Sequence, residues 1–367
     1  MSETAPDDVA VVYCDGAFGT PNGKTAHGLV RRTRRYRVIA VIDRRHAGGD
    51  AGAILDGRPR GVPVVAGVDE AVAEAARRGR AATHFVIGLA PDGGRLPAAS
   101  RAHVRRAIEL GLHVDSGLHD YLSEDGELAA AAAERGVVLR DVRKPPPVSA
   151  LHFFSGKIEQ VTSLTVALLG TDSAVGKRTS AWLLVEALER RGLTAEMVGT
   201  GQTAWMQGVR YGIVLDSLVN DFVAGEIEHA VWSAWNERRP DAIVIEGQGS
   251  LMNPAYPGGY EILAAGRPDA VVLQHAPARR EYDGFPGYPL HSIERQIEAV
   301  ELISGKPVVA ITLNHEDLDR RQLDAAGEEL RERTGLPVCD PLLDGADAVV
   351  EALVRLHPAL RAPARSR

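Results

Sequence analysis

The stretch Val166-Ala-Leu-Leu-Gly-Thr-Asp-Ser-Ala-Val-Gly-Lys-Arg-Thr-Ser180 decides the fold class, because it combines an apolar strand, a glycine-bounded loop and the start of a helix. Gly170 and Gly176 permit backbone torsions that a side chain forbids, so successive N–H groups can turn toward one ligand. The helix adds the positive end of its dipole, and Lys177 adds a full charge. The stretch therefore predicts a phosphate-binding loop.

The spacing differs from the pattern G-x-x-x-x-G-K-[ST], because five residues separate the glycines and Arg178 follows the lysine. Thr179 comes one position after the place of the magnesium-binding hydroxyl in that pattern. The alternative, a glycine-rich turn with an exposed lysine, conflicts with the apolar strand before the loop and the helical pattern after it. We predict that a nucleotide contacts the loop, the first helical turn and an Asn at the end of a later strand: Gly170, Thr171, Asp172, Ser173, Ala174, Val175, Gly176, Lys177, Arg178, Thr179, Ser180 and Asn314.

Length and composition predict two α/β domains that act on small molecules. A chain of 367 residues exceeds the roughly 100–200 residues of a usual domain, and its 45% hydrophobic and 25% charged content is ordinary for a globular protein. The net charge of −7 argues against a general nucleic-acid binder. Cys14 and Cys339 are far apart and form no C-x-x-C, so neither a zinc site nor a disulfide framework is indicated.

No run of the sequence reaches the roughly 18 consecutive apolar residues of a membrane helix. The polar start, Met1-Ser-Glu-Thr-Ala-Pro-Asp-Asp8, lacks the charged and apolar regions of a signal peptide. We therefore expect a cytoplasmic protein with no membrane and no nucleic-acid partner. We also expect it to form a homo-oligomer.

The first part of the chain alternates short apolar runs with helical patterns. Runs at residues 9–13 and 37–43 have βαβ spacing, and further runs follow at residues 62–65, 83–88, 114–119 and 137–140. This alternation predicts a parallel sheet covered on both faces. Asp43 ends the second run, where a dinucleotide site holds ribose hydroxyls, but the first turn lacks G-x-G-x-x-G, so a structural role is favoured.

Polar residues end the strands of this first domain, at the edge where open α/β sheets bind ligands. We predict that Asp115 and Ser116 bind the substrate and that His119 is catalytic, although each alone is more often a cap or a surface group. The prolines of Lys144-Pro-Pro-Pro147 cannot continue a strand or a helix, which places the boundary between domains 1–150 and 151–367. Phe153 and Phe154, which follow it, are expected to pack between the domains, with the amino-acid substrate in the cleft.

An almost wholly apolar strand, residues 241–246, ends at Glu246. A buried carboxylate needs a partner, and Mg²⁺ or hydrogen-bond donors would supply one, so we predict that Glu246 binds the metal, with Thr179 as the candidate hydroxyl ligand. The alternative for Glu246 is a helix cap or a salt bridge. Polar loops after neighbouring strands predict further substrate contacts, from Gln202, Thr203 and Gln248. The long loop at residues 276–290 predicts either a cover over a bound anion or a surface lid without direct contact.

The motif Gly170-Thr-Asp-Ser-Ala-Val-Gly-Lys177 resembles the phosphate-binding loop of the dethiobiotin synthetase and cobyrinate amidase group, which also has five residues between the two glycines. This resemblance implies that Lys177 contacts phosphates and that Asp216 and Glu246 bind magnesium. It implies catalytic roles for Lys177 and Asp216. Arg178 departs from the group, because the group has a hydroxyl ligand there.

Over nearly its full length the chain resembles a two-domain bacterial P-loop family, long of unknown function, that includes D-glutamate N-acetyltransferases. The motifs that carry the resemblance are Tyr13-Cys-Asp-Gly16, Lys24-Thr-Ala-His-Gly28, Asp115-Ser-Gly-Leu-His119, Gly201-Gln-Thr203 and Ile245-Glu-Gly-Gln-Gly249. The resemblance implies an N-terminal Rossmann-like domain and a C-terminal P-loop NTPase-like domain, both with parallel sheets.

It also implies an enzyme that forms an amide bond on a small amino acid. Two routes stay open: transfer of an acetyl group from acetyl-CoA, or activation of a carboxylate by ATP with Mg²⁺ in an ATP-dependent ligase. A non-catalytic, nucleotide-dependent switch protein is the alternative from another functional class.

Overall fold

A computed structural model describes residues 7–361 of the chain. The chain divides into two compact units: one contains the residues up to Pro146 together with Gln202–Val209, and the other contains Pro147–Gly201 and the residues from Arg210 onward. Each unit holds one sheet, and every strand pair in both sheets is parallel. The predicted fold class, two α/β domains with parallel sheets, is confirmed. Among residues 7–361, no helix has the length and apolar character needed to cross a membrane.

The sheet of the first unit has the strand order β3-β2-β1-β4-β5-β6, which is the order of a Rossmann fold. Its strands are β1 Val9–Tyr13, β2 Arg37–Ile42, β3 Val64–Val65, β4 His84–Ile87, β5 His113–Ser116 and β6 Leu139–Asp141. Its helices are α1 Lys24–Arg31, α2 Ala51–Asp56, α3 Val68–Arg77, α4 Arg101–Glu109, α5 Gly126–Arg135 and α7 Gln202–Met206. The central strand β1 is buried along its whole length, as expected for a parallel sheet covered on both faces.

The sheet of the second unit has the order β13-β12-β11-β7-β10-β8-β9, so the strand before the phosphate-binding loop, β7, lies in the middle. Its strands are β7 Leu164–Gly170, β8 Ala195–Gly199, β9 Tyr211–Gly212, β10 Ala242–Glu246, β11 Ala270–His275, β12 Val308–Leu313 and β13 Val338–Cys339. Its helices are α6 Lys177–Arg190, α8 Asn220–Arg238, α9 Tyr260–Gly266, α10 Ile293–Ser304, α11 Arg320–Thr334 and α12 Asp347–Leu356. All residues of β7 and β10 are buried.

The segment Gln202–Val209 packs with the first unit, although sequence reasoning counted it as a loop of the second domain. It contains the short helix α7, and the Thr203 hydroxyl lies 2.9 Å from the Thr25 hydroxyl on α1. The Gln207 amide donates to the carbonyl oxygens of Gly28 and Arg32, both at 2.9 Å. These bonds cap the end of α1, and sequence periodicity does not reveal such long-range pairing.

The expectation that Phe153 and Phe154 are buried is wrong. The two residues are 66% and 47% exposed, and the Phe153 ring lies against Phe222 of α8 with ring centroids 4.6 Å apart. The segment is held instead by the fully buried Glu228 of α8, whose carboxylate accepts hydrogen bonds from the Ser155 N–H and hydroxyl at 2.7 and 2.8 Å. Glu228 therefore anchors this segment within the second unit.

Asp43 closes the first turn of the Rossmann-like sheet. Its carboxylate has no solvent exposure and accepts hydrogen bonds from the N–H groups of Gly16, Phe18 and Arg45 at 3.2, 3.0 and 2.9 Å. Every oxygen is therefore engaged by the protein itself, in agreement with the structural role that the missing glycine fingerprint favoured.

Asp43→Ala should lower the free energy of unfolding by about 2–4 kcal/mol, because it leaves buried N–H groups without an acceptor. Urea denaturation of the full chain measures this change. Asp69→Ala is the matched control, since it removes an exposed ion pair with Arg106 that should contribute at most about 1 kcal/mol. Equal destabilisation by the two substitutions would contradict the structural role of Asp43.

Candidate functional site

The candidate site lies at the carboxyl edge of the second sheet. Because all strands are parallel, β7, β8, β10 and β11 end at the same edge. Loop 171–176 connects β7 to α6, so the predicted order of strand, loop and helix is present. The loops that follow the neighbouring strands meet this loop, and their side chains determine what the site can bind.

The loop backbone takes conformations that favour glycine at its end. Gly176 has φ of 102° and directly precedes α6, and Ala174 has φ of 51°. At Gly170, a Cβ atom would lie 2.9 Å from the Cδ atom of Lys177 and 3.0 Å from its Nζ. Glycine is thus required at position 170 for the lysine to fold back over the strand end, and at 176 for the turn into the helix.

Lys177 is 8% exposed, and its ammonium group is held by backbone oxygens. Nζ donates to the carbonyl oxygens of Asp172 and Gly249, both at 2.8 Å. Gly249 belongs to the loop after β10, so the lysine joins the two loops that flank the strand ends. A buried ammonium group at the start of a helix is suited to an anionic ligand.

Asp172, predicted to bind nucleotide, instead organises the loop from inside. Its carboxylate has no solvent exposure; Oδ1 accepts a hydrogen bond from the Asn253 amide at 2.8 Å, and Oδ2 accepts from Arg279 at 2.9 Å and from the Asp283 N–H at 2.9 Å. Donors of the protein thus engage both oxygens of the side chain, and a nucleotide contact at this loop position stays a prediction. Asn253 and Asp283 were not identified from the sequence.

Arg279 connects the long loop 276–290 to the phosphate-binding loop. Besides Asp172, its guanidinium donates to the Ser173 carbonyl oxygen at 2.8 Å and pairs with Glu316 at 2.8 Å. The Ser173 hydroxyl in turn donates to Asp283 at 3.2 Å. The long loop thus braces the phosphate-binding loop, and whether it contacts a bound anion directly stays a prediction.

Thr171 is fully buried, and its hydroxyl lies 3.0 Å from Nδ1 of His275 at the end of β11. Burial, reinforced by the neighbouring charges of Arg333, Arg280 and Arg279, lowers the pKa of His275 to about 4. The imidazole is therefore neutral at physiological pH, and its contact with Thr171 persists over the whole working range of an enzyme.

Two other predicted nucleotide ligands also face the protein. The Ser180 hydroxyl donates to Gln274 at 2.6 Å, and the hydroxyl of Thr312 donates to the same oxygen. The Asn314 amide donates to the Val175 carbonyl oxygen at 3.1 Å, and its oxygen accepts from the Glu316 N–H at 3.1 Å. Ser180 therefore anchors α6 to β11, and Asn314 supports the loop backbone rather than presenting an open edge to a base.

Glu246 is 5% exposed at the end of β10, where its Oε2 accepts a hydrogen bond from the Thr200 N–H at 2.9 Å. Burial raises the pKa of Glu246, and the charges of Arg178 and Lys177 together with the Thr200 N–H offset this only in part. Of the two charges, that of Arg178 lowers the pKa of Glu246 more. A cationic side chain thus stands beside the predicted metal ligand.

The other predicted metal ligands lie on separate segments. Asp216 is exposed in the turn Leu215–Ser217, which is joined to the end of β8 by a hydrogen bond from the Leu215 N–H to the Thr200 carbonyl oxygen at 3.2 Å. Thr179 is half-buried on the first turn of α6. Within residues 7–361, no group of three or more His, Cys, Asp and Glu side chains is arranged to hold a metal ion. The magnesium site stays a prediction.

The predicted substrate residues separate into two sets. Gln248 donates to the Thr200 carbonyl oxygen at 2.9 Å and lies at the carboxyl edge of the second sheet. Gln202 and Thr203 lie on α7 in the first unit, where the Gln202 side chain packs on Gly117 after β5.

In the first unit, Asp115 is committed to internal partners. Its carboxylate has no exposure and accepts hydrogen bonds from the Tyr36 hydroxyl and, at 2.8 Å, from Arg140, which favours a structural role, and substrate binding by Asp115 stays a prediction. The Ser116 hydroxyl accepts from the Leu118 N–H at 3.3 Å. His119 is exposed, and its ring lies over Gly94. Of the three, only His119 presents its side chain to solvent.

The comparison with known families agrees with this architecture. A profile described as a domain of unknown function, DUF1611_C P-loop domain, matches residues 152–350, and a DUF1611_N Rossmann-like domain matches residues 44–145. The chain belongs to the DUF1611 family. A DUF1611 family protein from Anabaena variabilis has a crystal structure with TM-score 0.86 and 30% identity, covering 95% of this chain and 99% of the other.

Two relatives of this chain carry a functional name. A D-glutamate N-acetyltransferase of Tritonibacter scottomollicae is 32% identical over 293 residues, which is 78% of this chain and 85% of the relative. A D-glutamate N-acetyltransferase of a Pseudoalteromonas species is 32% identical over 300 residues, 80% of this chain and 87% of the relative. The family resemblance inferred from the motifs is confirmed.

Glu246→Gln should stabilise the ligand-free protein at pH 8. A carboxyl whose pKa is raised by folding favours the protonated form in the folded state, so ionisation destabilises the fold as pH rises above its unfolded value of about 4.3. Glutamine is never ionised and keeps an acceptor for the Thr200 N–H.

Thermal unfolding at pH 5 and pH 8 tests this. The variant should melt above the parent at pH 8, and the difference should shrink at pH 5. Glu298→Gln on the exposed side of α10 is the control and should show no such trend. A difference that is negative or independent of pH would contradict the assignment.

Proposed function

We propose that the protein is an N-acetyltransferase that transfers an acetyl group to the amine of D-glutamate or a closely related acidic amino acid. Two relatives with this name align with the chain over more than four fifths of their own length. The observation that carries the proposal is the phosphate-binding loop with Lys177 held between two carbonyl oxygens. Acetyl-CoA offers phosphate groups to such a loop and an acetyl group to the amine.

We propose that Lys177 and Arg178 contact phosphates of the donor. Both side chains follow Gly176 directly, at the positive end of α6, where helix dipole and side-chain charges act together. Arg178 offers a planar guanidinium that can bind two phosphate oxygens at once, which a hydroxyl at that position could not do. Its proximity to Glu246 gives that carboxylate a cationic partner that belongs to the chain.

The reaction balances without a further co-reactant. The uncharged amine of the amino acid attacks the thioester carbonyl carbon, a C–N bond forms, and the C–S bond of acetyl-CoA breaks. The proton lost by the amine leaves with a base, and CoA departs as its thiol. His119 stays our predicted catalytic residue, because its exposed side chain is of a type that commonly serves as a general base.

An ATP- and Mg²⁺-dependent carboxylate–amine ligase is the second candidate. The observation that favours it is Glu246 at the end of β10, with the turn of Asp216 joined to the adjacent strand end through Thr200. If Mg²⁺ is bound, Glu246, Asp216 and Thr179 are the residues that would hold it, and the metal would neutralise phosphate charge. The same lysine would then contact the phosphates of ATP.

The two candidates release different products. We expect the full chain with acetyl-CoA and D-glutamate to release free CoA thiol and to form N-acetylglutamate, identified by mass. In parallel, ATP, Mg²⁺, acetate and D-glutamate should give no ADP. ADP release together with amide formation would show that the protein is the ligase and not the transferase. Binding of ATP without turnover in either mixture would favour a switch protein.

Lys177→Ala should weaken acetyl-CoA binding at least about tenfold, because a point charge that contacts a phosphate contributes about 1.5–3 kcal/mol. Calorimetry on the full chain measures the affinity. Lys306→Ala is the matched control, since this lysine of the same unit pairs with Asp269 near the surface. Unchanged affinity in the Lys177 variant would exclude the loop as the donor site.

A further inference from the structure

A second polar cavity lies in the first unit, at the edge opposite to the carboxyl ends of its strands. It has a volume of about 330 Å³, and its lining consists of Asp8, Thr83, His84, His113, Val138 and Arg140. These residues immediately precede, or belong to the first two residues of, β1, β4, β5 and β6, so the cavity lies at the amino edge of the sheet. None of them has a role in the proposed acetyl transfer.

Two imidazoles stand side by side in this cavity. His84 and His113 are paired in register on adjacent strands, and their ring centroids are 5.2 Å apart. His84 is 6% exposed; its Nδ1 lies 2.9 Å from the Thr83 hydroxyl, and its Nε2 has no hydrogen-bond partner among the described residues. His113 accepts a hydrogen bond from the Val138 N–H at its Nδ1, so its proton lies on Nε2, which is a donor.

Arg140 adds a guanidinium group whose N–H donors are only partly used by the described residues. One of its N–H groups donates to the buried Asp115 at 2.8 Å, and the side chain is 42% exposed. A guanidinium has five N–H donors, so most remain for a ligand. Arg35 lies near it, because the Cζ atoms of Arg35 and Arg140 lie 3.7 and 5.5 Å from the ring centroid of Trp205. Hydrogen-bond donors and positive charge therefore dominate this part of the lining.

We propose that this cavity binds a small oxyanion, a carboxylate or a tetrahedral inorganic anion, through His84, His113 and Arg140. The carboxylate of Asp8 lies 3.9 Å from Nδ1 of His84 and is 52% exposed, so water screens its repulsion of a bound anion. Planar, bidentate contact with Arg140 suits a carboxylate or a phosphate-like group equally well. The site is independent of the phosphate-binding loop.

Anion binding here is coupled to proton uptake. Burial lowers the pKa of His84 in the empty cavity; Asp115 and Asp8 oppose this effect, and His113 and Arg140 reinforce it. The imidazole is therefore neutral near pH 7, and a bound anion beside it favours the protonated form. Affinity should consequently increase as the pH falls from 8 to 6.

The test uses the imidazole NMR signals of the full chain, assigned with His84→Gln and His113→Gln. Sodium sulfate and sodium acetate are the probes, since both stay fully ionised from pH 6 to 8. We expect one of them to shift both signals saturably with Kd of about 1–10 mM, and more tightly at pH 6. Saturation by sulfate alone indicates a tetrahedral anion as the ligand, and saturation by acetate alone indicates a carboxylate.

Variants separate this site from the phosphate-binding loop. The shifts should persist in Lys177→Ala and in the control Arg58→Gln, an exposed arginine of the same unit. They should weaken at least about tenfold in Arg140→Lys, which keeps the charge beside Asp115 but loses the planar fork. Absence of saturable shifts with both anions, or equal affinity of Arg140→Lys and the parent, would overturn the proposal.

Discussion

The carboxylate of Asp172 is the constraint on which the candidate site depends. A carboxylate without solvent exposure is tolerated only when donors surround it, and here the donors come from two other loops: Asn253 from the loop after β10, and Arg279 and the backbone of Asp283 from the loop after β11. Both strands belong to the same sheet as β7. Satisfying one charge therefore fixes the relative positions of the phosphate-binding loop and the two loops beside it.

This arrangement fixes the backbone of the phosphate-binding loop and the position of Lys177. The carbonyl oxygen of Asp172 accepts from Lys177, while its side chain is held by donors of the other loops. Preorganisation of this kind lowers the cost of ordering the loop when the ligand binds. The cationic side chains at the start of α6 lie near the buried carboxyl group of Glu246. The pKa of this group is raised because little solvent reaches it. An anion that binds at this edge of the sheet would therefore change the electrostatic environment of Glu246, Lys177 and Arg178.

Local sequence patterns were sufficient for the fold and for the position of the loop. The apolar runs before Gly170 and up to Glu246 have the length of buried strands, and the glycine spacing specifies the turn into α6. Side-chain partners were not predictable, because they depend on contacts far apart in sequence. Asp172 and Arg279 are 107 positions apart, and Thr25 and Thr203 are 178 positions apart. For the same reason α7, which packs in the first unit, looked like a polar loop of the second.

The first unit illustrates why position at a strand end does not by itself identify a ligand-binding residue. Asp43 and Asp115 both lie at or near carboxyl ends of strands, yet each is saturated by donors from its own unit and has no exposure. At the opposite edge of the same sheet, His113 and Arg140 have donors that the protein does not use. The capacity to bind a ligand follows from which hydrogen-bonding groups remain unsatisfied, and in this unit that criterion favours the amino edge of the sheet.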